Sequence, residues 1–174
     1  MLSTLVANFA AAAQENPYAP MQEWVESLHG LVQWLMVMVV SAVPFLEAYG
    51  GAFLGALGGM PLWLLLPSAV IGNMLVLFGL VYMAQWIRGQ AVGEPAPEEE
   101  LSKKKQRVKR IFDRFGVPAV ALLGPFALPS QFTAPLMVGF GASRNAVMLW
   151  MLISVILWAV LGWALGAGIV SLVS

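Results

Sequence analysis

Residues 43–61 read VPFLEAYGGAFLGALGGMP, and this stretch decides the fold of the chain. Within it, Glu47 is the only charged residue between positions 31 and 87, where its neighbours are apolar side chains and glycines. Holding an ionised acid at a bilayer centre costs about 2.5–3.5 kcal/mol on insertion scales, so such an acid indicates a function. Five glycines between Pro44 and Pro61 predict a break in any helix that would cross the membrane here. A broken apolar segment with one ionisable group is typical of a transport site.

The composition indicates an all-α integral membrane protein. Sixty per cent of the residues are hydrophobic and 10% are charged, whereas soluble domains average about 25% charged residues. Eight of the nine Lys and Arg residues lie between Arg88 and Arg114. Because Lys and Arg concentrate in cytoplasmic loops, the sequence predicts that this segment is cytoplasmic.

Two apolar blocks, 31–87 and 115–174, flank the charged insert. Each block is too long for one span and too short for three, since one span takes about 20 residues. In each block the first half is broken by Pro and Gly, which predicts a re-entrant hairpin, and the second half reads as a transmembrane helix. The predicted parts are an interfacial amphipathic segment (1–30), a hairpin (31–59) and helix (60–87), a cytoplasmic linker and basic amphipathic helix (88–114), and a second hairpin (116–142) and helix (145–172).

The two blocks show a weak internal repeat. Glu47 precedes Pro61, near the start of the first predicted transmembrane helix, by fourteen residues. Gln131 precedes Asn145, the start of the second, by the same number. Each hairpin therefore has a polar residue at its tip, separated from the following helix by one hairpin arm. With the insert in the cytoplasm, the first hairpin opens to the outside, the second opens to the cytoplasm and the C-terminus is outside. The repeats are then inverted. If residues 21–45 cross fully instead, the N-terminus is cytoplasmic, but the absence of Lys and Arg before Arg88 favours the outside.

Glu47, Gln131 and Arg144 are the candidates for proton coupling and substrate binding. We expect Glu47 at a hairpin tip opposite Gln131, where an apolar environment favours the protonated carboxyl and allows exchange of a proton for a cationic substrate. The alternative is that Glu47 lies at the outer end of a helix, where lipid head groups surround its carboxylate. Arg144 either snorkels at the cytoplasmic interface, binds an anionic head group or pairs with Glu47. Ser130, Gln131 and Thr133 are predicted either only to cap backbone groups at the break in the helix or also to line the substrate path. Asn73 is predicted to join helices by a hydrogen bond rather than to bind a ligand. The other residues predicted at the hairpin tips or along the path are Pro44, Tyr49, Pro129 and Pro135.

The basic insert is predicted either to fix orientation as a solvated helix or to lie on anionic lipid. Its basic residues are Lys103, Lys104, Lys105, Arg107, Lys109 and Arg110. Nucleic acid is a poor partner for a patch that adjoins a membrane. Glycines four residues apart, at 51, 55 and 59 and at 162 and 166, predict close helix packing within the chain or in a homodimer.

The sequence offers little for catalysis. It has no Cys and a single His, His29, which nearly excludes nucleophile–base pairs and thiolate metal sites. No phosphate-binding loop of the P-loop pattern occurs. We therefore expect no enzyme, no cofactor and no metal.

The stretch from Pro44 through Glu47 to the Ile-Gly-Asn of residues 71–73 resembles the signature of the bacterial small multidrug export-like family. That family is similar to the wider DedA superfamily (SNARE-associated, VTT-domain), whose second hairpin is resembled by residues 122–150, with Pro129, Pro135 and Arg144 in register. The resemblance implies two facing re-entrant hairpins in an inverted repeat, in the bacterial cytoplasmic membrane. It also implies transport, either proton-dependent efflux or the flipping or scrambling of lipid and polyprenyl phosphates.

Together these features predict a small carrier that moves an amphipathic or cationic molecule across the cytoplasmic membrane, with Glu47 as the proton-linked group. A lipid or polyprenyl-phosphate flippase or scramblase is the first alternative. A membrane scaffold without transport, whose basic helix docks partners, is the second.

Overall fold

A computed structural model describes residues 18–90 and 103–173 of the chain. Every regular element in these two ranges is a helix, and none is a strand, so the all-α prediction is confirmed. Residues 1–17 of the predicted amphipathic segment and the linker at 91–102 lie outside the described residues.

Proline and glycine set most of the helix boundaries. Pro44, Pro61 and Pro129 each stand in a connection just before a helix begins, where a missing N–H costs nothing. In chain order the described helices are α1 (Ala19–Ser27), α2 (Gly30–Ala42), α3 (Glu47–Leu57), α4 (Leu62–Gln90), α5 (Lys103–Leu123), a 3-10 turn (Gly124–Phe126), α6 (Ser130–Gly139) and α7 (Arg144–Val173).

Two of these helices, α4 and α7, are long and apolar enough to cross a membrane. They contain 29 and 30 residues, which corresponds to about 44 Å each at 1.5 Å per residue, more than the roughly 30 Å of a hydrocarbon core. A third span results if α1 and α2 count as one, although the chain bends by 118° between them.

Helices α2 and α3 form an antiparallel pair, which we call the first hairpin. Gly51 lies against Ser41, and Gly55 lies against Val37, so the two chains run in opposite directions at close approach. The turn between them spans residues 43–46 and is tight. Phe45 and Glu47 both have positive φ angles, of 72° and 50°, which residues other than glycine rarely adopt.

Residues 117–139 form a second helical pair, which we call the second hairpin. Gly116, with φ of 73° and ψ of −168°, breaks α5 into a basic first part and an apolar second part. The apolar part continues into the 3-10 turn, and α6 returns after Pro129. Thr133 of α6 packs against Gly124, which brings the two arms together.

Each returning helix packs on the long helix of the other half of the chain. Helix α3 lies along α7, and α6 lies against α4. Gly162 and Gly166 of α7 contact the backbone of α3, and Gly72 of α4 contacts the backbone of α2 at Met38. The glycine pairs therefore serve contacts within one molecule, while Gly59 (φ 73°) stands in the exposed turn after α3.

The surface of the described residues is far more apolar than that of a soluble domain. Large apolar residues are exposed along α2, α4 and α7; Trp63, for example, is 75% exposed and Leu149 is 58% exposed. Such continuous apolar surface indicates contact with lipid. Among the described residues, the core is mainly apolar, but it also contains the polar or charged side chains of Ser41, Glu47, Ser68, Asn73, Ser130, Gln131, Thr133 and Ser154.

Candidate functional site at the hairpin tips

Glu47, the first residue of α3, is buried at 3% exposure and meets the tip of the second hairpin. Its carboxylate oxygen Oε1 accepts hydrogen bonds from the backbone N–H of Ser130 and from the Ser130 hydroxyl, the latter at 2.7 Å. We call this set the tip contact. It joins residues that are 83 positions apart in the sequence.

The tip contact explains how α6 begins. Pro129 precedes α6 and supplies no side-chain cap, so the first N–H groups of the helix need an acceptor from elsewhere. Glu47 supplies that acceptor from the other hairpin. A carboxylate at a helix N-terminus is further stabilised by the partial positive charge of the helix dipole.

A second layer of polar groups surrounds Ser130. The Gln131 amide nitrogen Nε2 donates to the Asn73 oxygen Oδ1 at 3.0 Å, and the Asn73 nitrogen Nδ2 donates to the Ser130 hydroxyl at 3.4 Å. The Gln131 oxygen Oε1 is buried without a hydrogen-bond partner. Thr133 donates to the Ser130 carbonyl at 3.4 Å. The layer thus ends in one unused acceptor, which suits a molecule that carries donors.

Aromatic side chains close the site on one flank. The rings of Tyr49 and Phe126 lie 6.2 and 5.1 Å from the ring of Trp158, centroid to centroid. The Tyr49 hydroxyl donates to the Phe45 carbonyl, and the Trp158 indole donates to the Leu122 carbonyl at 3.2 Å. These bonds hold the rings in fixed positions.

The space beside Glu47 is about 10 Å³, enough for one water molecule at most. Tyr49, Ser154 and Trp158 are among the residues that line it. The described conformation is therefore closed around the acid and leaves no room for a molecule larger than water beside the carboxylate.

Glu47 has no cationic partner in the described ranges, where the ion pair that occurs is Lys109–Asp113 at 2.6 Å. Arg144 lies elsewhere. It is exposed, begins α7 and places its guanidinium 4.9 Å from the Tyr82 ring centroid. Ser154, beside Glu47, is ten residues further along α7, a rise of about 15 Å. The alternative in which Arg144 pairs with Glu47 is therefore wrong for this conformation.

The structure gathers most of the other predicted site residues around Glu47. Asn73, Ser130, Gln131 and Thr133 are all buried there, as described above. Pro129 is buried at the start of α6, and Tyr49 and Pro135 are half-buried, the latter inside α6. Pro44 is exposed in the turn of the first hairpin.

Two residues of α7 belong to the site but were not predicted. The Ser154 hydroxyl donates to the Ala121 carbonyl at 2.7 Å and lines the space beside Glu47. As a polar residue within an apolar helix, it carries the same signal that singled out Asn73. Trp158 carries no comparable signal, because tryptophan is also common at membrane interfaces and in packed cores.

No family model matches the chain, no curated protein matches it, and no solved structure matches it. The resemblance to the DedA superfamily and its small multidrug export-like branch therefore remains a prediction from the residues quoted above.

Proposed function

We propose that the protein is a small membrane carrier in which protonation of Glu47 controls the contact between two re-entrant hairpins. The tip contact, a buried acid of one hairpin bound by the helix N-terminus of the other, is the observation that carries this proposal. The transported molecule is an amphipathic or cationic small molecule, exported across the cytoplasmic membrane in exchange for protons.

Helix lengths support the re-entrant arrangement. Helices α2 and α3 have 13 and 11 residues, or about 20 and 16 Å, and neither reaches across a hydrocarbon core of roughly 30 Å. Their turn lies beside Asn73, which is eleven residues into α4, about 16 Å from its start. The turn is therefore near mid-membrane if α4 spans the bilayer.

The packing supports an inverted repeat. In the first half a hairpin is followed by α4, and in the second half a hairpin is followed by α7. Helix α3 rests on α7 as α6 rests on α4. With the basic part of α5 in the cytoplasm, α4 ends inside, α7 ends outside, and the hairpins enter from opposite faces. This arrangement is the one alternating access requires, since each tip closes one route.

Glu47 is suited to coupling because the same carboxylate has two uses. When ionised, it receives charge-assisted hydrogen bonds from Ser130 and an attractive interaction with the α6 dipole. When protonated, it loses the charge on which both depend, so the contact between the tips weakens. Proton binding from one side and release to the other would then open and reseal the tips in turn.

The surroundings favour a cationic substrate. The acceptors on offer are the Glu47 carboxylate and the unused Gln131 oxygen Oε1. The aromatic faces of Tyr49, Phe126 and Trp158 add cation–π attraction once the tips part.

One observation favours the lipid-transport alternative. Phe45 and Phe126, next to the two tips, are 67% and 76% exposed, which places the tip region within reach of lipid. A lipid head group could then enter the site from the side while its tails stay in the bilayer.

The basic part of α5 is proposed to lie on anionic lipid. Arg107 and Arg110 are exposed, while Val108 is buried in the core and the Phe112 ring lies 5.7 Å from the Phe140 ring, tilted by 48°. The apolar side of this helix thus packs against the core and the residue that follows α6. The basic side is left for the membrane surface, where each Lys or Arg contributes about 1 kcal/mol.

Vesicles reconstituted with Glu47→Gln test the carrier. Glutamine keeps the size and the hydrogen-bond acceptor but cannot exchange a proton, so we expect ethidium-driven proton flux to fall to the level of empty vesicles. Glu26→Gln, a change of the same kind at an exposed position of α1, is the matched control and should transport normally.

A second assay on the same vesicles follows the flipping of fluorescent phospholipids. Flipping that ignores a pH gradient, without proton-coupled ethidium flux, would favour the scramblase alternative and contradict the carrier. No activity in either assay would favour the scaffold. Equal transport by the wild-type protein and Glu47→Gln would show that transport does not depend on protonation of Glu47.

A further inference from the structure

A second polar cavity lies where α4 ends and α7 begins. Its volume is about 380 Å³. It is lined by Gln85 and Arg88 of α4, by residues 141–143, and by Arg144 and Asn145 of α7. We call it the arginine pocket. It is separate from the tip contact, which lies about 15 Å further along α7.

Within the described ranges, the contacts of both arginines at this cavity leave their charge without a neutralising partner. Arg88 donates from Nη1 to the Val138 carbonyl at 3.2 Å, and Arg144 rests its guanidinium on the Tyr82 ring. Neither forms an ion pair with a carboxylate in the described parts of the chain. Both arginines are exposed, as an arginine at a membrane interface commonly is, but the two come from different helices and line the same cavity.

The helix dipole increases the positive potential of the arginine pocket. Arg144 is the first residue of α7, at the end that already carries partial positive charge, where a cation is disfavoured and an anion is favoured. Ser143 accepts the Ala146 N–H at 3.3 Å and so caps the same turn. Two guanidinium groups beside a helix N-terminus are matched by a bound anion with several oxygens.

We infer that the arginine pocket binds a phosphate-type anion from the cytoplasmic side. Phosphate presents oxygens to both guanidinium groups at once, and the cavity leaves room for a glycerol head group beside it. The same chemistry has two sources, the head group of an anionic phospholipid and free phosphate. Binding here would tie the end of α4 to the start of α7 and hence the two halves of the chain at their cytoplasmic end.

Binding to the whole protein in a neutral detergent tests the inference. The probes are inorganic phosphate, dihexanoyl-phosphatidylglycerol and the net-neutral dihexanoyl-phosphatidylcholine, each titrated by calorimetry at constant ionic strength. We expect saturable binding of phosphate, of the phosphatidylglycerol or of both. Arg88→Gln and Arg144→Gln should each weaken it about tenfold, the loss expected for one charged hydrogen-bond partner.

Arg114→Gln is the matched control, because Arg114 is exposed, rests on Phe115 and lies outside the pocket. It removes the same charge and should bind the probes as wild type does. Thermal unfolding of each variant without probe separates misfolding from lost affinity, and Arg88→Lys, which keeps the charge, should retain part of the binding.

Binding of phosphate would show that a free anion is enough to occupy the arginine pocket. Binding of phosphatidylglycerol alone would show that the ligand is a lipid head group. Either result supports the inference. Absence of saturable binding by any probe would overturn it. So would an equal loss of binding in Arg114→Gln, or equal affinity for phosphatidylcholine and phosphatidylglycerol without phosphate binding. Binding that arises only after Glu98, Glu99 and Glu100 are changed to Gln would assign the pocket to the chain's own acidic linker instead.

Discussion

Two buried hydroxyl groups in this protein, those of Ser130 and Ser41, are expected to contribute very differently to its stability. The Ser130 hydroxyl donates to the Glu47 carboxylate at 2.7 Å, whereas the Ser41 hydroxyl is fully buried with no hydrogen-bond partner. A charged acceptor that loses a donor in an apolar interior is left poorly solvated. Removing a hydroxyl that makes no hydrogen bond breaks no such interaction.

We therefore expect Ser130→Ala to lower the free energy of unfolding by about 1.5–3 kcal/mol, as for other hydrogen bonds to charged groups. The backbone N–H of residue 130 remains, so the tip contact weakens without disappearing. Ser41→Ala should leave the stability unchanged or raise it. Chemical unfolding in detergent micelles measures both, and equal losses would show that the Ser130 hydroxyl does not support Glu47.

At the scale of elements, two close helix crossings hold the first hairpin to the long helices. A Cβ at Gly162 of α7 would overlap the Tyr49 carbonyl, and a Cβ at Gly72 of α4 would overlap the Met38 carbonyl. Backbone cannot move aside as a flexible side chain can. These two glycines set how closely α3 approaches α7 and how closely α2 approaches α4.

We expect Gly162→Ala and Gly72→Ala each to lower the free energy of unfolding by about 1–3 kcal/mol through overpacking. The same helices supply their own controls, because a Cβ at Gly168 or Gly79 meets nothing within 4 Å. Gly168→Ala and Gly79→Ala should be neutral, or stabilising by up to about 1 kcal/mol through helix propensity. Thermal unfolding of the four variants measures these effects. A similar change in stability at all four sites would contradict the claim that Gly162 and Gly72 set the close helix approaches.

At the scale of the whole molecule, the two hairpins and two long helices form one unit with a mainly apolar core, a small polar cluster inside it and an apolar surface. Its orientation depends on the basic residues after Arg88, because nothing else in the chain distinguishes the two membrane faces so strongly. The proposed topology puts α1 and the end of α7 outside and the start of α7 in the cytoplasm.

The chain contains no cysteine, so single cysteines report this topology directly. In right-side-out spheroplasts, a membrane-impermeant maleimide should label Ser27→Cys and Ser171→Cys, both at exposed positions. Ser143→Cys, also exposed, should be labelled only after permeabilisation. Labelling of Ser27→Cys only after permeabilisation would place α1 inside and support full crossing of residues 21–45 instead of a hairpin.

Much of this molecule follows from local sequence. Long runs without charge produce α4 and α7, and Pro and Gly at positions 44, 61, 116 and 129 interrupt the helices between them, because helix formation and helix breaking depend on neighbouring residues. Glu47 stood out for the same local reason, as a lone acid among apolar residues. Gln131 was expected opposite it, and that expectation came from spacing alone.

Only the tertiary structure decided what Glu47 meets. Its partner is Ser130 rather than Arg144, while the Gln131 side chain turns to Asn73 and the Trp158 ring helps close the site. The physical reason is that these contacts join residues far apart in the chain, and each depends on how closely α3 rests on α7 and α6 on α4. Composition and spacing do not determine these approaches; where α3 meets α7, for example, the distance is set by Gly162 and Gly166 against the α3 backbone.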